Sequence, residues 1–178
     1  MYKKFKDDLK NLTYQKNSSF LVKINKIRHN PGIKMVLMHR LINETPKYLF
    51  FIKYIFKFFY YRMMYKYGID LPLNLKFGQN FRIYHWEGIV INPDSKIGDN
   101  VTIMHNVTIG NNMKNIKCPI ISDGVFIGVV AKIIGDVFLE KNIKVGANAV
   151  VNKSIFKENS TVVGIAARVI NDIKKESI

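Results

Sequence analysis

The stretch "FRIYHWEGIVINP", residues 81–93, places His85 among aliphatic and aromatic residues in a strand-like segment. An imidazole has an ordinary pKa of about 6.5, so its neutral form can accept a proton from a hydroxyl group at neutral pH. Such a histidine is either a general base or a core residue whose ring nitrogens are satisfied by hydrogen bonds. The local sequence leaves both interpretations open.

Cys118 is the second side chain whose type suits acyl transfer, because a thiolate can act as a nucleophile. It lies in the loop "NNMKNIKCPI", which contains no histidine that could activate it, so we interpret it as a passive thiol. As the single cysteine of the chain it excludes a disulfide framework, and we expect no metal site. For His29 and His39, in the amino-terminal half, we expect solvated or helix-packing roles.

The size and net charge of the chain limit the classes of protein to which it can belong. The chain has 178 residues, 48% of them hydrophobic, which is enough for one domain with a helical extension. The net charge is +15, and residues 1–70 carry 15 Lys or Arg against four Asp or Glu. This excess favours an anionic partner: nucleic acid, a membrane surface or a phosphorylated small molecule. The start "MYKKFKDDLK" lacks a secretory signal, so we expect a cytoplasmic protein.

The first part of the chain has helical periodicity. Pro31 suits the start of a helix that continues through "NPGIKMVLMHRLINE", and Pro46 interrupts the pattern. Residues 48–67, "YLFFIKYIFKFFYYRMMYKY", are aromatic or aliphatic apart from four cations, with uncharged runs too short to span a bilayer. The spacing of those cations predicts a basic stripe. This helix is either packed against other helices or a subunit, or bound to the inner face of an anionic membrane.

After Asp70 the period changes to six. Aliphatic residues recur at this spacing, most of them followed four positions later by a second apolar residue, and four are followed directly by glycine. A hexad describes a short strand with a tight turn, in which both apolar residues point inward and the glycine adopts a backbone geometry that other residues resist. One hexad cannot bury its own apolar face, so the coils must stack. The lead residues are Ile91, Ile97, Ile103, Ile109, Ile121, Ile127, Ile133, Leu139, Val145 and Val151.

These hexads resemble those of the hexapeptide-repeat acyltransferases, and residues 31–170 resemble the serine acetyltransferase branch of that family. The resemblance rests on "PGIKMVLMHRL", "YGIDLPLNLKFGQNF", "YHWEGIVINPDSKIGDNVTIMHNVTIG", "GVFIGVVAKIIGDVFLEKNIKVGANAVV" and "TVVGIAARVI". It implies a mainly β fold, a left-handed parallel β-helix, assembled as homotrimers with active sites between subunits. We expect a helical region over 1–69, the β-helix over 70–170 and a tail over 171–178.

The resemblance also assigns roles. It implies that His85 is the general base and that Asp70, fifteen residues earlier and about one coil away, orients its ring. The hexad register slips by two before Ile91, next to His85, and such irregularities often mark functional sites. The backbone near Gly110 could donate to the developing oxyanion. For acetyl-CoA, the acyl donor, the resemblance implies a groove along later coils, with contacts at Gly110, Val129, Lys132, Ala147, Lys153 and Arg168.

Departures from the serine acetyltransferases bear on the acceptor. Those enzymes carry an aspartate before the catalytic histidine, where this chain has Tyr84, and an Arg-His pair in the loop where it has Lys117 and Cys118. A buried ammonium or carboxylate needs a charged partner, so serine fits less well. Tyr84, Trp86 and Lys117 would line the acceptor pocket, and aromatic walls suit a sugar. His105 is either a further wall residue of this pocket or a second base. The chain is also similar to short enzymes that O-acetylate sugars of capsule, lipopolysaccharide or exopolysaccharide, often on a lipid carrier.

We therefore expect an acetyl-CoA-dependent sugar O-acetyltransferase of surface polysaccharide biosynthesis, with serine O-acetyltransferase as the alternative. Two other classes fit less well. A nucleic-acid-binding module would explain the charge, but no nucleic-acid-binding signature accompanies it, so we expect no nucleic acid partner. A non-catalytic β-helical scaffold would explain the repeats but not the pair Asp70 and His85.

Overall fold

The computed structural model describes residues 2–11, 19–114 and 116–170, and the tail expected over 171–178 lies outside the described residues. An amino-terminal helical region precedes a parallel β-solenoid. The helices are α1 (Lys3–Asn11), α2 (Phe20–His29), α3 (Pro31–Glu44), a 3-10 turn (Lys47–Leu49) and α4 (Phe50–Tyr67). The side chain of Asn30 caps α3 by accepting from the Ile33 amide, with Pro31 in the first turn, as the sequence predicts.

The solenoid strands are two or three residues long and follow one another every six residues or so. They are β1 (Ile69–Asp70), β2 (Lys76–Phe77), β3 (Arg82–Ile83), β4 (Ile89–Ile91), β5 (Lys96–Ile97), β6 (Thr102–Ile103), β7 (Thr108–Gly110), β8 (Ile120–Ile121), β9 (Phe126–Ile127), β10 (Lys132–Ile134), β11 (Phe138–Leu139), β12 (Lys144–Val145), β13 (Val150–Val151), β14 (Thr161–Val163) and β15 (Arg168–Ile170).

As far as β13, every third strand joins the same parallel sheet, so the chain winds around three faces. Sheet A has the order β1-β4-β7-β10-β13, sheet B β2-β5-β8-β11, and sheet C β3-β6-β9-β12-β14. Strand β15 closes sheet C by pairing antiparallel with β14. The parallel β-helix with an amino-terminal helical region is thus confirmed.

The core of the solenoid is formed by the predicted hexad positions. The ten lead residues named above are all at most 5% exposed. The second apolar residues are also buried; they are Val101, Val107, Val125, Ala131, Val137, Ile143, Ala149 and Ile155. Side chains stack on their counterparts in the next coil, so each coil completes the burial of its neighbour.

The coils differ in length, and the extra residues leave the core at two turns. Ile91 pairs with Ile109, 18 residues on, whereas Ile83 pairs with Ile103, 20 residues on. The two additional residues therefore lie between Ile83 and Ile91, in the turn that carries His85. Six more lie between β7 and β8, since Ile97 pairs with Ile121, 24 residues on. The register slip noticed in the sequence is this enlarged turn.

The hexad pattern predicts that its glycines adopt a backbone geometry that other residues resist, and this prediction is wrong. Gly98, Gly110, Gly128 and Gly146 are not among the residues with positive φ, and asparagines such as Asn100 and Asn148 make up six of the ten non-glycine residues that do have positive φ in the described chain. Glycine is required instead where the next coil comes close. A Cβ on Gly128 would lie 2.8 Å from the Ala147 backbone nitrogen and 2.8 Å from the Val145 oxygen.

A buried ion pair fastens the helical region to the first coil. Arg40 of α3 donates from Nε to Asp8 of α1 at 2.8 Å, and both side chains are about 5% exposed. Its other guanidinium nitrogens donate to the carbonyls of Phe77 and Gly78, and its carbon lies 4.0 Å from the centre of the Phe77 ring. The second Asp8 oxygen accepts from the Asn80 amide at 2.7 Å. Removing one partner would strand a buried charge.

His39 is a structural histidine at the same boundary, in agreement with a helix-packing role. Its Nε2 contacts the Pro72 carbonyl at 3.2 Å, its Nδ1 lies 3.2 Å from the Asn43 side-chain nitrogen, and its ring centre is 4.6 Å from that of Phe77. Burial lowers the pKa of His39 to about 4; the hydrogen bond to Pro72 opposes this shift, and the charge of Arg40 adds to it. The ring is therefore neutral in the folded protein near pH 7.

We predict that Gly128→Ala lowers the free energy of unfolding by about 1–3 kcal/mol, because the added Cβ forces the backbone of the next coil to move. Gly110→Ala is the matched control, since its Cβ would meet only the Asn92 Cβ at 3.7 Å, an ordinary contact. Urea denaturation of both variants measures the difference. Equal stabilities would contradict the close-approach explanation.

We also predict an acid-sensitive stability that depends on His39. The unfolded chain binds a proton at His39 below about pH 6.5, and the folded chain does so only near pH 4. The free energy of unfolding should therefore be highest above pH 6.5 and fall by about 3 kcal/mol as the pH drops toward 4. His39→Gln should flatten this slope relative to wild type, whereas His29→Gln, at an exposed position, should keep it. Parallel slopes for wild type and His39→Gln would refute the assignment.

Candidate active site

The connections from sheet C to sheet A, which we call the C–A corner, form one continuous edge of the solenoid. They carry His85, His105, Val129 and Ala147 on successive coils. Backbone hydrogen bonds link the coils here: the Val130 amide donates to the His105 carbonyl at 3.0 Å, and the Asn148 amide to the Val129 carbonyl at 2.9 Å. Four of the predicted site residues therefore share one edge.

His85 lies in the enlarged first turn of this corner and is exposed. Its φ of 51° is in the left-handed region, which costs a non-glycine residue of order 1–3 kcal/mol; nine other non-glycine residues of the described chain share a positive φ, six of them asparagine. No hydrogen bond from the described residues occupies its ring nitrogens. An exposed, unengaged imidazole in a strained turn does not fit a satisfied core histidine, but it suits a group that exchanges protons with a ligand.

His105 lies directly beside His85, one coil further along. The two ring centres are 6.0 Å apart with the planes at 87°, an edge-to-face arrangement. The Nδ1 atom of His105 is buried and has no hydrogen-bond partner among the described residues. A buried polar atom without a partner is costly, so this nitrogen is suited to a ligand or an ordered water.

Asp70 lies in β1 of sheet A, the strand that pairs with β4, and it is in register with Val90 of β4. Its side chain is exposed, and neither a hydrogen bond nor an ion pair joins it to His85 in the part of the chain described. The carboxylate is close enough to Tyr60 to help burial and Tyr61 raise the pKa of that phenol. Its role as orienting group remains a prediction; contacts of this kind often tighten only when substrates bind.

The two aromatic residues that flank His85 have different surroundings. Trp86 is half-buried and packs against the solenoid core. Tyr84 lines a cavity of about 280 Å³ between the helices and the first coil, which also contacts His29, Ile33 and Arg82. This cavity could not be predicted from the sequence, because its walls combine residues of α1, α2 and α3 with residues of β3.

Three of the predicted site residues lie at a different edge, the corner from sheet A to sheet B. Gly110 ends β7, Lys117 lies in the loop that follows it, and Lys153 follows β13. The Lys117 ammonium is ion-paired with Asp136 at 2.9 Å, and both side chains are more than half exposed. Within one chain, these residues are therefore not brought together with His85.

The remaining donor-site candidates extend the C–A corner. Lys132 begins β10 and donates to the Asn106 carbonyl at 2.6 Å, and Arg168 is exposed at the start of β15, after the last turn of this edge. Val130, which belongs to the same expected donor stretch as Val129 and Lys132, has a φ of 62°, unusual for a β-branched residue. Its place in a "GVVAK" turn where glycine or asparagine would be easier is a signal that the sequence contained. Among the described residues, no group of three or more His, Cys, Asp or Glu could hold a metal ion.

Comparisons with known proteins bear on the fold. No protein-family model matches the chain. The "Putative colanic acid biosynthesis acetyltransferase WcaB" of Escherichia coli is 41% identical over 63 residues, 35% of this chain and 39% of that protein. The serine acetyltransferase of Helicobacter pylori is 34% identical over 100 residues, 55% of this chain and 57% of that protein.

Among solved structures, serine acetyltransferase from Brucella abortus in complex with coenzyme A superposes with a TM-score of 0.75 at 27% identity, covering 93% of this chain and 66% of that one. The matched regions thus span about two fifths to two thirds of the length of these three relatives. These relatives are acetyltransferases, and one of them is seen with coenzyme A. In sequence, strand order and superposition, the chain has the hexapeptide-repeat β-helix fold of the serine acetyltransferases.

Proposed function

We propose that this protein is an acetyl-CoA-dependent O-acetyltransferase that acts on a sugar hydroxyl in surface polysaccharide biosynthesis. The observation that carries the proposal is His85: an exposed imidazole in a strained, enlarged turn, placed at the first coil of an edge along which a donor can lie. Similarity to enzymes that use coenzyme A supports the donor, and the relative named for colanic acid biosynthesis supports the acceptor class.

The chemistry is direct transfer with His85 as general base. Its neutral ring nitrogen removes the proton from the acceptor hydroxyl while the oxygen attacks the thioester carbonyl of acetyl-CoA. The resulting oxyanion is stabilised by backbone N–H groups. Collapse breaks the C–S bond, and the imidazolium returns the proton to the departing thiolate, giving the acetyl ester and coenzyme A.

The donor would lie along the C–A corner, over Val129 and Ala147, with Lys132 and Arg168 near its phosphates. A homotrimer would bring the other corner of a neighbouring copy against this edge. Gly110 and His105 belong to the same coil. In a trimer, Gly110, Lys117 and Lys153 of the neighbouring copy would therefore lie at the same levels along the solenoid axis as the residues of the C–A corner. This assembly explains why the predicted site residues divide between two edges of one chain.

The acceptor is inferred from the charges near His85. Tyr84 replaces an acidic partner for an ammonium, and Lys117 already pairs with Asp136, which makes a free amino acid a poor fit. Trp86 follows the base in the chain and is half-buried, and its accessible part would be the aromatic surface for a sugar. The alternative acceptor is serine, and the similarity to serine acetyltransferases along 55% of the chain favours it.

We predict that His85→Asn lowers kcat by about 10²- to 10⁴-fold, because the general base is lost. Thiol release from acetyl-CoA would be followed with free serine and with a panel of nucleotide- and lipid-linked sugars. His29→Asn, an exposed histidine on α2, is the matched control and should retain wild-type turnover. Serine turnover at a useful kcat/KM would replace the sugar proposal with the alternative, and full activity of His85→Asn would exclude the mechanism.

Cys118 is the rival nucleophile, and its surroundings disfavour that role. The thiol is 9% exposed, and burial raises its pKa, with the charge of Asp94 adding to the shift. It is therefore protonated near neutral pH, whereas acyl transfer requires the thiolate.

We predict that Cys118→Ala keeps acetyl transfer within about twofold of wild type, well below the effect expected for loss of a general base. We also expect slow alkylation of Cys118 by iodoacetamide at pH 7. Loss of activity in a folded Cys118→Ala protein, together with an acetylated thiol in the wild type, would transfer the nucleophile role to Cys118.

A further inference from the structure

Helix α4 presents a continuous aromatic surface to solvent. Seven aromatic side chains on it are between 45% and 87% exposed. Six of them lie within about 100° of the helix circumference, with Phe59 outside this range, and we call the six the aromatic stripe: Phe50, Phe51, Tyr54, Phe58, Tyr61 and Tyr65. The opposite side of the helix holds it to the protein. Tyr60 is fully buried there and donates to the Leu71 carbonyl, and Met64 and Tyr67 pack against the core.

The four cations of α4 do not form the single basic stripe expected from the sequence. Each residue advances about 100° around a helix, so the step of five from Lys57 to Arg62 turns about 140° and crosses the aromatic stripe. Lys53 and Lys57 lie on one flank, half-buried, and Arg62 and Lys66 lie exposed on the other. The aromatic stripe is thus bordered by positive charge on both sides.

This arrangement matches a helix that lies in the plane of a membrane surface. Aromatic rings insert at the level of the lipid headgroups, and flanking Lys and Arg side chains extend to the phosphates. The helix has 18 residues, about 27 Å, and contains no Asp or Glu to repel an anionic surface. No helix among the described residues is long and apolar enough to cross a membrane.

The same helix of a second copy is a poorer occupant on grounds of charge. In a two-fold contact the same surface meets itself, so the flanking cations of one helix would face those of the other with no carboxylate on either helix. Anionic lipid supplies the complementary charge that a second α4 lacks.

We propose that α4 docks the protein on an anionic membrane surface through the aromatic stripe and its flanking cations. The helix ends at Tyr67, three residues before Asp70, so docking would hold the first coil and its His85 turn near the headgroups. The inference is independent of the proposed acetyl transfer, although a lipid-carried acceptor would benefit from it.

The test is co-sedimentation of the full chain with vesicles of phosphatidylcholine alone and of phosphatidylcholine mixed with phosphatidylglycerol. The wild type should bind only the mixed vesicles. Arg62→Glu/Lys66→Glu should weaken binding about tenfold or more, since each basic residue near the surface contributes substantially. Lys76→Glu/Lys96→Glu makes the same change in net charge on exposed residues of sheet B, and it should have a much smaller effect.

A second pair of variants tests the aromatic part. Tyr54→Ser/Tyr65→Ser should reduce vesicle binding about tenfold or more, whereas Phe156→Ser, an exposed ring on the solenoid, should not. All these positions are exposed, so folding should persist, as circular dichroism would show. The proposal is overturned if the wild type ignores mixed vesicles, if α4 variants bind as well as their controls, or if Tyr54→Ser/Tyr65→Ser changes only the oligomeric state in sedimentation velocity. Acetyl transfer in solution is measured separately and should be unchanged in the α4 variants.

Discussion

Stacking of one coil on the next in register is the constraint on which this structure depends. The inward positions at Ile103, Ile127 and Val145 pair directly across sheet C, and each is at most 1% exposed. A residue added within a strand would turn its apolar side chains outward, so extra residues must leave at a corner. The chain uses this freedom twice, at the His85 turn and at the loop before Cys118. The regular core and the irregular site thus have the same physical origin.

The helical region completes the first coil, which has no preceding coil to cover it. Arg40 and Asp8 form a buried ion pair within this cap. His39 and Tyr60 donate to backbone carbonyls in the segment that follows β1. A solenoid end exposes apolar side chains and backbone groups, so such caps are needed for solubility. Here the cap also fixes α4, whose opposite face remains available to a partner.

The path of the backbone at the corner determines where the candidate site residues lie, more than contacts between their side chains do. His85 is displaced outward by the enlarged turn, and His105 is placed beside it because the next coil repeats the corner. The strain at His85 and Val130 is tolerated because hydrogen bonds to neighbouring coils, including that from Val130 to the His105 carbonyl, hold the turns in place. His85 lies at the C–A corner of the chain. Lys117 and Lys153 lie at the corner from sheet A to sheet B, which is a separate edge of the same solenoid.

The sequence by itself determined the solenoid, because each hexad encodes its own strand and turn, and identical periods stack without further information. It also located the His85 turn, since the register slip is visible as a two-residue break in that period. Only the tertiary structure decided why Gly128 must be glycine, because the reason is the approach of Ala147 in the next coil. The same is true of the ion pairs of Asp8 with Arg40 and of Lys117 with Asp136, which join residues 32 and 19 positions apart. Periodicity reports which way a side chain points relative to its own strand or helix, but it does not report which distant residue lies opposite.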